Sequence, residues 1–194
     1  VLETNLFSRV LAAILLACAF PLHSAIAQVS ACTDGLVVDL IAGQHTDAGD
    51  VTVCNDSNNL YVHYATVEGW TMTETHLAVE KEPDLIPQTH GGNPKIGHFA
   101  YQRTYIPGVQ EDTYVISLDE AGFKDGENLV IAAHAVTQLA DTLGNLIQQE
   151  TGWGDGSSFP GQSWATYISY TVPPANPDEG DDGEGDGDGS GGPR

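Results

Sequence analysis

Apolar and polar side chains alternate with a period of two through most of this chain, a rhythm that suits extended strands and defeats amphipathic helices. Residues 36–41, 51–53, 60–67, 75–79, 114–118, 129–136 and 164–170 are rich in Val, Ile, Thr and aromatic side chains. Turn chemistry separates them: Asp47-Ala48-Gly49-Asp50, the Asn/Asp run at 55–59, Glu68-Gly69, Asp125-Gly126 and Gly144-Asn145. No window sustains apolar residues at three-four spacing behind a capping residue. Seven or more short strands punctuated in this way predict an all-β, antiparallel two-sheet β-sandwich, immunoglobulin-like or jelly-roll-like.

Residues 51–54 are expected to pair with 60–63 across the Asn-rich loop, which puts Leu60, Val62 and Tyr64 on one face. The alternation fails between Pro83 and Pro107, where 88–99 reads as a long Gly/Pro-rich excursion. Long loops in compact domains are functional or disordered. Phe99, Tyr101 and Tyr105 favour the ordered choice, because they can anchor the loop to a core.

Ahead of this body, Arg9 precedes the apolar run 10–20, Pro21 breaks it, and Ala25-Ile26-Ala27 offers small residues where a signal peptidase reads. Residues 1–27 are expected to be a secretory signal peptide. The run is shorter than the ~20 apolar residues a bilayer span takes, and no other segment resembles one. Leu15-Leu16-Ala17-Cys18 offers a rival reading, a lipoprotein box with Cys18 acylated. An exported chain is secreted, hence extracellular or periplasmic, and its remaining Cys32 and Cys54 read as a disulfide. Closing a loop of about 22 residues stabilises by roughly 3 kcal/mol in the chain-entropy account. Residues 28–172 form the expected domain. From Pro173 to Arg194 the chain is Pro-rich and then Gly/Asp/Glu-rich, with nothing apolar to offset its ordering entropy, and reads as a disordered tail or linker.

Several segments resemble a β-rich domain of bacterial secreted and cell-surface proteins. They are Ala42-Gly43-Gln44, Gly49-x-Val51-x-Val53-x-Asn55-Asp56, Gly69-Trp70, Glu74-Thr75-His76-Leu77 and Gly92-Asn93-Pro94-Lys95-Ile96-Gly97-His98-Phe99. Ala132-Ala133-His134-Ala135, Glu150-Thr151-x-Trp153-x-x-Gly156 and Trp164-Ala165-Thr166-Tyr167 complete the pattern, which covers nearly all of 35–172. Gly152, where Ala would be expected, is a small departure. The resemblance implies an exported, often surface-associated module and carries no catalytic residues to transfer.

The balance of charge narrows the partners. Twenty-seven acidic residues stand against 6 basic ones, a formal charge of -21, whereas nucleic acid and anionic membranes need clustered Lys and Arg. Between residues 28 and 177 the only bases are Lys81, Lys95, Arg103 and Lys124. Seven histidines invite a search for a metal or proton-transfer site. Glu74 and His76 lie two apart and so share a strand face, His134 sits among Ala132, Ala133 and Ala135, and His90 and His98 flank the long loop. Glu74, His76, His98 and His134 could converge on zinc, although no His-Glu-x-x-His spacing marks them. The structural alternative is buried imidazoles that hold the loop in place.

Calcium is the other candidate cation, at the acidic turns carrying Asp47 with Asp50 and Glu150 with Asp155. The tail copies the early positions of an EF-hand loop but lacks its closing acid. There is no nucleophile elbow, phosphate loop or dinucleotide fingerprint. Trp70 and Trp164 read as packing residues, while Trp153, between Gly152 and Gly154, is expected to be exposed and to contact a ligand. These readings favour a secreted, non-catalytic module for cell-surface or matrix binding or structure, with no certain cofactor and a surface glycan or protein as partner. A metal-dependent secreted hydrolase built on the Glu/His cluster is one alternative. Self-association into a fibre, with residues 28–41 added to a neighbour's sheet edge, is another.

Overall fold

The computed structural model describes residues 35–174. The expected leader, Cys18, Cys32 and the acidic run after Pro174 lie outside the described residues. The alternation is expressed as ten strands: β1 (Leu36–Ala42), β2 (Thr46–Asn55), β3 (Asn59–Thr66), β4 (Trp70–Glu80), β5 (Tyr101–Val109), β6 (Glu111–Ser117), β7 (Asn128–Ala140), β8 (Leu146–Gly154), β9 (Ser157–Ser158) and β10 (Thr166–Thr171). One helical turn, Leu118–Ala121, follows β6, capped by the Ser117 hydroxyl and ended by Gly122 at φ 71.

All strand pairs are antiparallel. They run β5-β4-β7-β8-β1-β2-β3-β6, with β10 on β7 and β9 on β10. The two ends of this path, β5 and β6, come together through side chains, so the antiparallel sheet is nearly closed into a barrel. The all-β, antiparallel expectation is met at that level.

Hydrophobic burial follows the period-two face. Val51 and Val53 on β2, Leu60, Val62 and Tyr64 on β3, and Met72, Leu77 and Val79 on β4 enter one interior cluster with Ile131, Ala133 and Ala135 of β7. The expected hairpin has the expected register, Cys54 opposite Tyr61 and Val53 opposite Val62.

Three local expectations are corrected. Asp47–Asp50 is not a turn but part of β2: a bulge lets one extra residue of β2 oppose β1, and the Asp47 carboxylate takes the Gly49 N–H at 3.0 Å. The chain reverses earlier, at Gly43 and Gln44, both at positive φ. The excursion after Pro83 ends sooner than its prolines suggest, since 101–109 is strand β5. Pro107 is tolerated there because β5 lies at the edge of the hydrogen-bonded order. Finally, β8 carries the polar stretch Gln148-Gln149-Glu150, whose exposed face hides it from a search for apolar alternation.

The seam between β5 and β6 is polar and inward-facing. The Arg103 guanidinium pairs with the Asp112 carboxylate, donates to the Thr113 carbonyl at 2.9 Å, and lies 4.1 Å from the Tyr114 ring centroid. The other Asp112 oxygen accepts from the Thr75 hydroxyl at 2.7 Å, and that hydroxyl meets the Tyr114 hydroxyl at 2.8 Å. Burial pushes the Tyr114 phenol up to about 12, so it stays a neutral donor. Asp112→Ala leaves the buried Thr75 hydroxyl without its acceptor and the partly exposed Arg103 without its ion-pair partner, and is expected to cost about 1–3 kcal/mol, measured by urea unfolding. A loss below about 1 kcal/mol would show that the seam holds without this ion pair.

Candidate functional site

The outward face of the central strands carries the densest chemistry. His76 of β4 lies directly opposite His134 of β7, and His134 directly opposite Trp153 of β8, so the three side chains form one row. Gln102 of β5 extends the row beyond His76. The His76 and His134 Nδ1 atoms are 3.3 Å apart, and the rings are tilted by 56° with centroids 5.3 Å apart. Glu74, on the same face of β4 as expected, places its carboxylate 3.8 Å from the His76 Nε2.

This outward face is not left to water. The segment 81–100 crosses it through 3-10 turns at Pro83–Leu85 and Ile96–His98, pinned by Gln102 Nε2 donating to the Phe99 carbonyl at 2.9 Å. Its Ile86 and Phe99 join Ala78, Val130, Ala132, Trp153, Phe159 and Ala165 in a second apolar cluster. Of the three expected anchors, Phe99 packs in this outer cluster. Tyr101 and Tyr105 belong to β5 instead, Tyr101 against the inner cluster and Tyr105 half-buried with its hydroxyl enclosed. His134 is 2% exposed and its Nε2 is buried without a hydrogen-bond partner. Desolvation, with His76 as a second cause, holds the His134 imidazole down to about 3, and desolvation also lowers His76. Both rings are therefore neutral near pH 7.

Trp153 is buried, not exposed, which corrects the sequence reading. Its flanking glycines mark crowding on the opposite, inward face instead of a loop. A Cβ on Gly152 would sit 3.3 Å from a Leu40 methyl, and one on Gly154 would sit 3.0 Å from an Ile168 methyl. With glycine facing in, Trp153 faces out and meets His134 and Phe159 in T-shaped contacts at 4.8 and 6.4 Å. Trp70 is buried and Trp164 half-buried, in keeping with packing roles.

The remaining candidates are dispersed. His98 is exposed on its 3-10 turn, and His90 is exposed in a separate turn earlier in the segment. The Asp50 side chain is exposed opposite Asp39 of β1. Glu150 lies on β8 and accepts from the Gln148 side chain at 3.2 Å, while Asp155 accepts the Gly156 N–H at 2.8 Å. Among the described residues, no group of three or more His, Cys, Asp or Glu side chains is arranged to hold a metal ion. No helix among them is long and apolar enough to cross a membrane.

A second surface feature was not anticipated. The β7–β8 hairpin ends in Leu143, Leu146 and Ile147, which are 84%, 58% and 62% exposed. Its loop is held rigidly: the Asp141 carboxylate accepts the N–H groups of Leu143 and Asn145 and the Asn145 side-chain amide, all within 2.8–2.9 Å. Those hydrogen bonds, Asn145 first, lower the Asp141 carboxyl. The turn signal Gly144-Asn145 marked the loop, but not the aliphatic side chains it displays.

No known family and no curated protein matches the chain. Among solved structures, a "putative carbohydrate binding protein" from Bacteroides uniformis overlaps 63% of this chain and 54% of its own length, at 11% identity and a TM-score of 0.33. This chain thus spans about half of that protein, and overlap at that level transfers neither fold nor ligand.

Trp153→Ala empties the box around His134 and is expected to destabilise by about 3–5 kcal/mol. Gly156→Ala drives a Cβ to 2.2 Å from the Tyr167 carbonyl oxygen, so it is expected to unfold at lower urea than Gly152→Ala, whose neighbour is a movable methyl. The reverse order in denaturant melts would refute this account of the glycines.

Proposed function

We propose that the chain is an exported, non-catalytic module that binds a protein at the cell surface or in the extracellular matrix, and that the β7–β8 hairpin makes the contact. The observation that carries this reading is the pre-formed apolar tip: Leu143 faces water on a loop fixed by Asp141, and Leu146 and Ile147 face water from the first two residues of β8. Exposed apolar groups on an ordered scaffold mark contact surfaces, and a rigid loop gives up little entropy when it docks.

The chemistry selects among partners. Glycan recognition favours exposed aromatic platforms, whereas Trp70 and Trp153 are 4% and 5% exposed. An aliphatic tip on a chain of charge -21 fits an apolar pocket rimmed by Lys and Arg. A second copy of the chain would bring the same negative charge. In the fibre alternative, residues 36–41 are already engaged in this sheet, with β1 paired to β2 along its length and Leu40 and Ile41 also paired to β8.

The nearly closed sheet can be read as two facing halves, β5-β4-β7-β8 with β10 and β1-β2-β3-β6, which is the sandwich the alternation suggested. The leader over 1–27 and the acidic tail would export and tether it. The Cys32–Cys54 bridge would staple the segment before β1 to β2. Cys54 itself is 4% exposed and does not belong to the inner cluster.

Labelled mature chain is expected to bind the intact cells that export it. Leu143→Ser/Leu146→Ser/Ile147→Ser should abolish this binding while leaving Tm within about 2 °C, since exposed positions contribute little to stability. Undiminished binding by that variant would overturn the assignment. Independently, exported chain titrated with a thiol reagent in denaturant should show no reactive thiol until reduced. Two thiols before reduction would remove the bridge.

A further inference from the structure

The His76 and His134 Nδ1 atoms stand within hydrogen-bond distance, 3.3 Å, so that one ring proton or one shared cation can bridge them. Each outer nitrogen has its own surroundings. The His76 Nε2 faces the Glu74 carboxylate at 3.8 Å, so it is better occupied by a proton than by a lone pair. The His134 Nε2 is buried, without a hydrogen-bond partner, in a ring that stands in T-shaped contact with the Trp153 indole. An N–H beside a π system is again better placed than a lone pair. A neutral imidazole carries one proton. If both rings hold theirs at Nε2, two bare Nδ1 lone pairs are left 3.3 Å apart.

That separation is the one a tetrahedral ion requires. Two nitrogens bound to zinc at ~2.0–2.1 Å lie about 3.3–3.4 Å apart along a tetrahedral edge. A carboxylate behind the ligating ring, on its second nitrogen, is the usual outer support for a metal-bound histidine. The row opens to solvent on the Glu74 side, where the His76 and Glu74 side chains are 12% and 45% exposed. Imidazole nitrogen selects borderline ions of the zinc and copper class over the hard calcium and magnesium ions.

We propose that His76 and His134 form a two-imidazole binding site for a divalent ion of the zinc–copper class, with Glu74 as a positioning residue behind His76. The site needs neither His98 nor any third protein ligand. It is also independent of the hairpin tip, so the failure of either reading leaves the other standing.

The test is titration of the chelator-stripped full chain with copper(II) near pH 7.5, followed by electron paramagnetic resonance, and with zinc against a chromophoric chelator. One saturable equivalent with coupling to two nitrogens is expected, displaced by zinc. His76→Ala, at the open end of the row, should keep the β-rich circular dichroism and weaken binding at least ~10-fold, and Glu74→Gln should weaken it ~10–100-fold. His134→Gln should abolish the two-nitrogen signal. If that variant fails to fold, His76→Ala decides alone. No saturable equivalent, or one that survives His76→Ala because His45, His63, His90, His98 or the acidic tail holds it, overturns the proposal. Unchanged binding in Glu74→Gln overturns the role given to Glu74.

Discussion

A sheet that curls on itself must bring its first and last strands together, and here side chains do that work instead of backbone. β5 and β6 are consecutive in the chain and separated only by Gln110, yet each pairs elsewhere, β5 with β4 and β6 with β3. The corner at Gln110 therefore forces two sheet edges to face one another. Unpaired edges are costly to bury and hazardous to expose. Arg103 answers both needs, since it donates to the Thr113 carbonyl on the facing edge and meets the Asp112 carboxylate beneath it. Asp112 in turn satisfies Thr75, which is fully buried on β4. The interior is closed at this point by a polar network in which Asp112 serves both Arg103 and Thr75, and Thr75 serves Tyr114, while the neighbouring Tyr105 hydroxyl is buried without a hydrogen-bond partner.

The other organising element is β7, the strand that serves two cores. Its thirteen residues pair along β4 on one edge, and with β8 and β10 in succession on the other. Ile131, Ala133 and Ala135 point to the inner cluster, while Val130, Ala132 and His134 point outward. A strand buried on both faces loses the polar half of its alternation, which is why 129–135 reads as an almost unbroken apolar run. The outer cover of segment 81–100 follows from this: a central strand with two apolar faces needs a layer on each side.

These features separate what was legible from what was not. Burial on one face leaves a period-two trace, so β2, β3, β4 and β6 could be read directly, together with the hairpin register and the common face of Glu74 and His76. Burial by long-range cover leaves no local trace. Trp153 looked exposed because its neighbours are glycines, and the reason for those glycines is Leu40 and Ile168, more than a hundred residues before it and some fifteen after it. β5 was lost to Pro107 and β8 to its glutamines, both cases in which an exposed or edge strand need not alternate. Of the chemistry, the sequence picked out His76 and His134 but gave no means of separating them from His98, since only the register of β4 against β7 makes the first two neighbours.

That register also bears on how the site and the fold constrain each other. The row Gln102–His76–His134–Trp153 lies across four strands, so a slip of one residue between β4 and β7 would turn His76 away from His134 and expose the faces of both strands at once. The thirteen-residue length of β7 and the Thr73 bulge in β4, where Met72 opposes Thr137 but Glu74 opposes Val136, fix the pairing. Without that bulge, the alternation that buries Met72 would carry Glu74 and His76 to the inner face, and Thr75 and Leu77 to the outer one. One extra residue thus places Thr75 under Asp112 and His76 beside His134. The seam that closes the sheet and the imidazole pair on its outer surface are consequences of the same irregularity in β4.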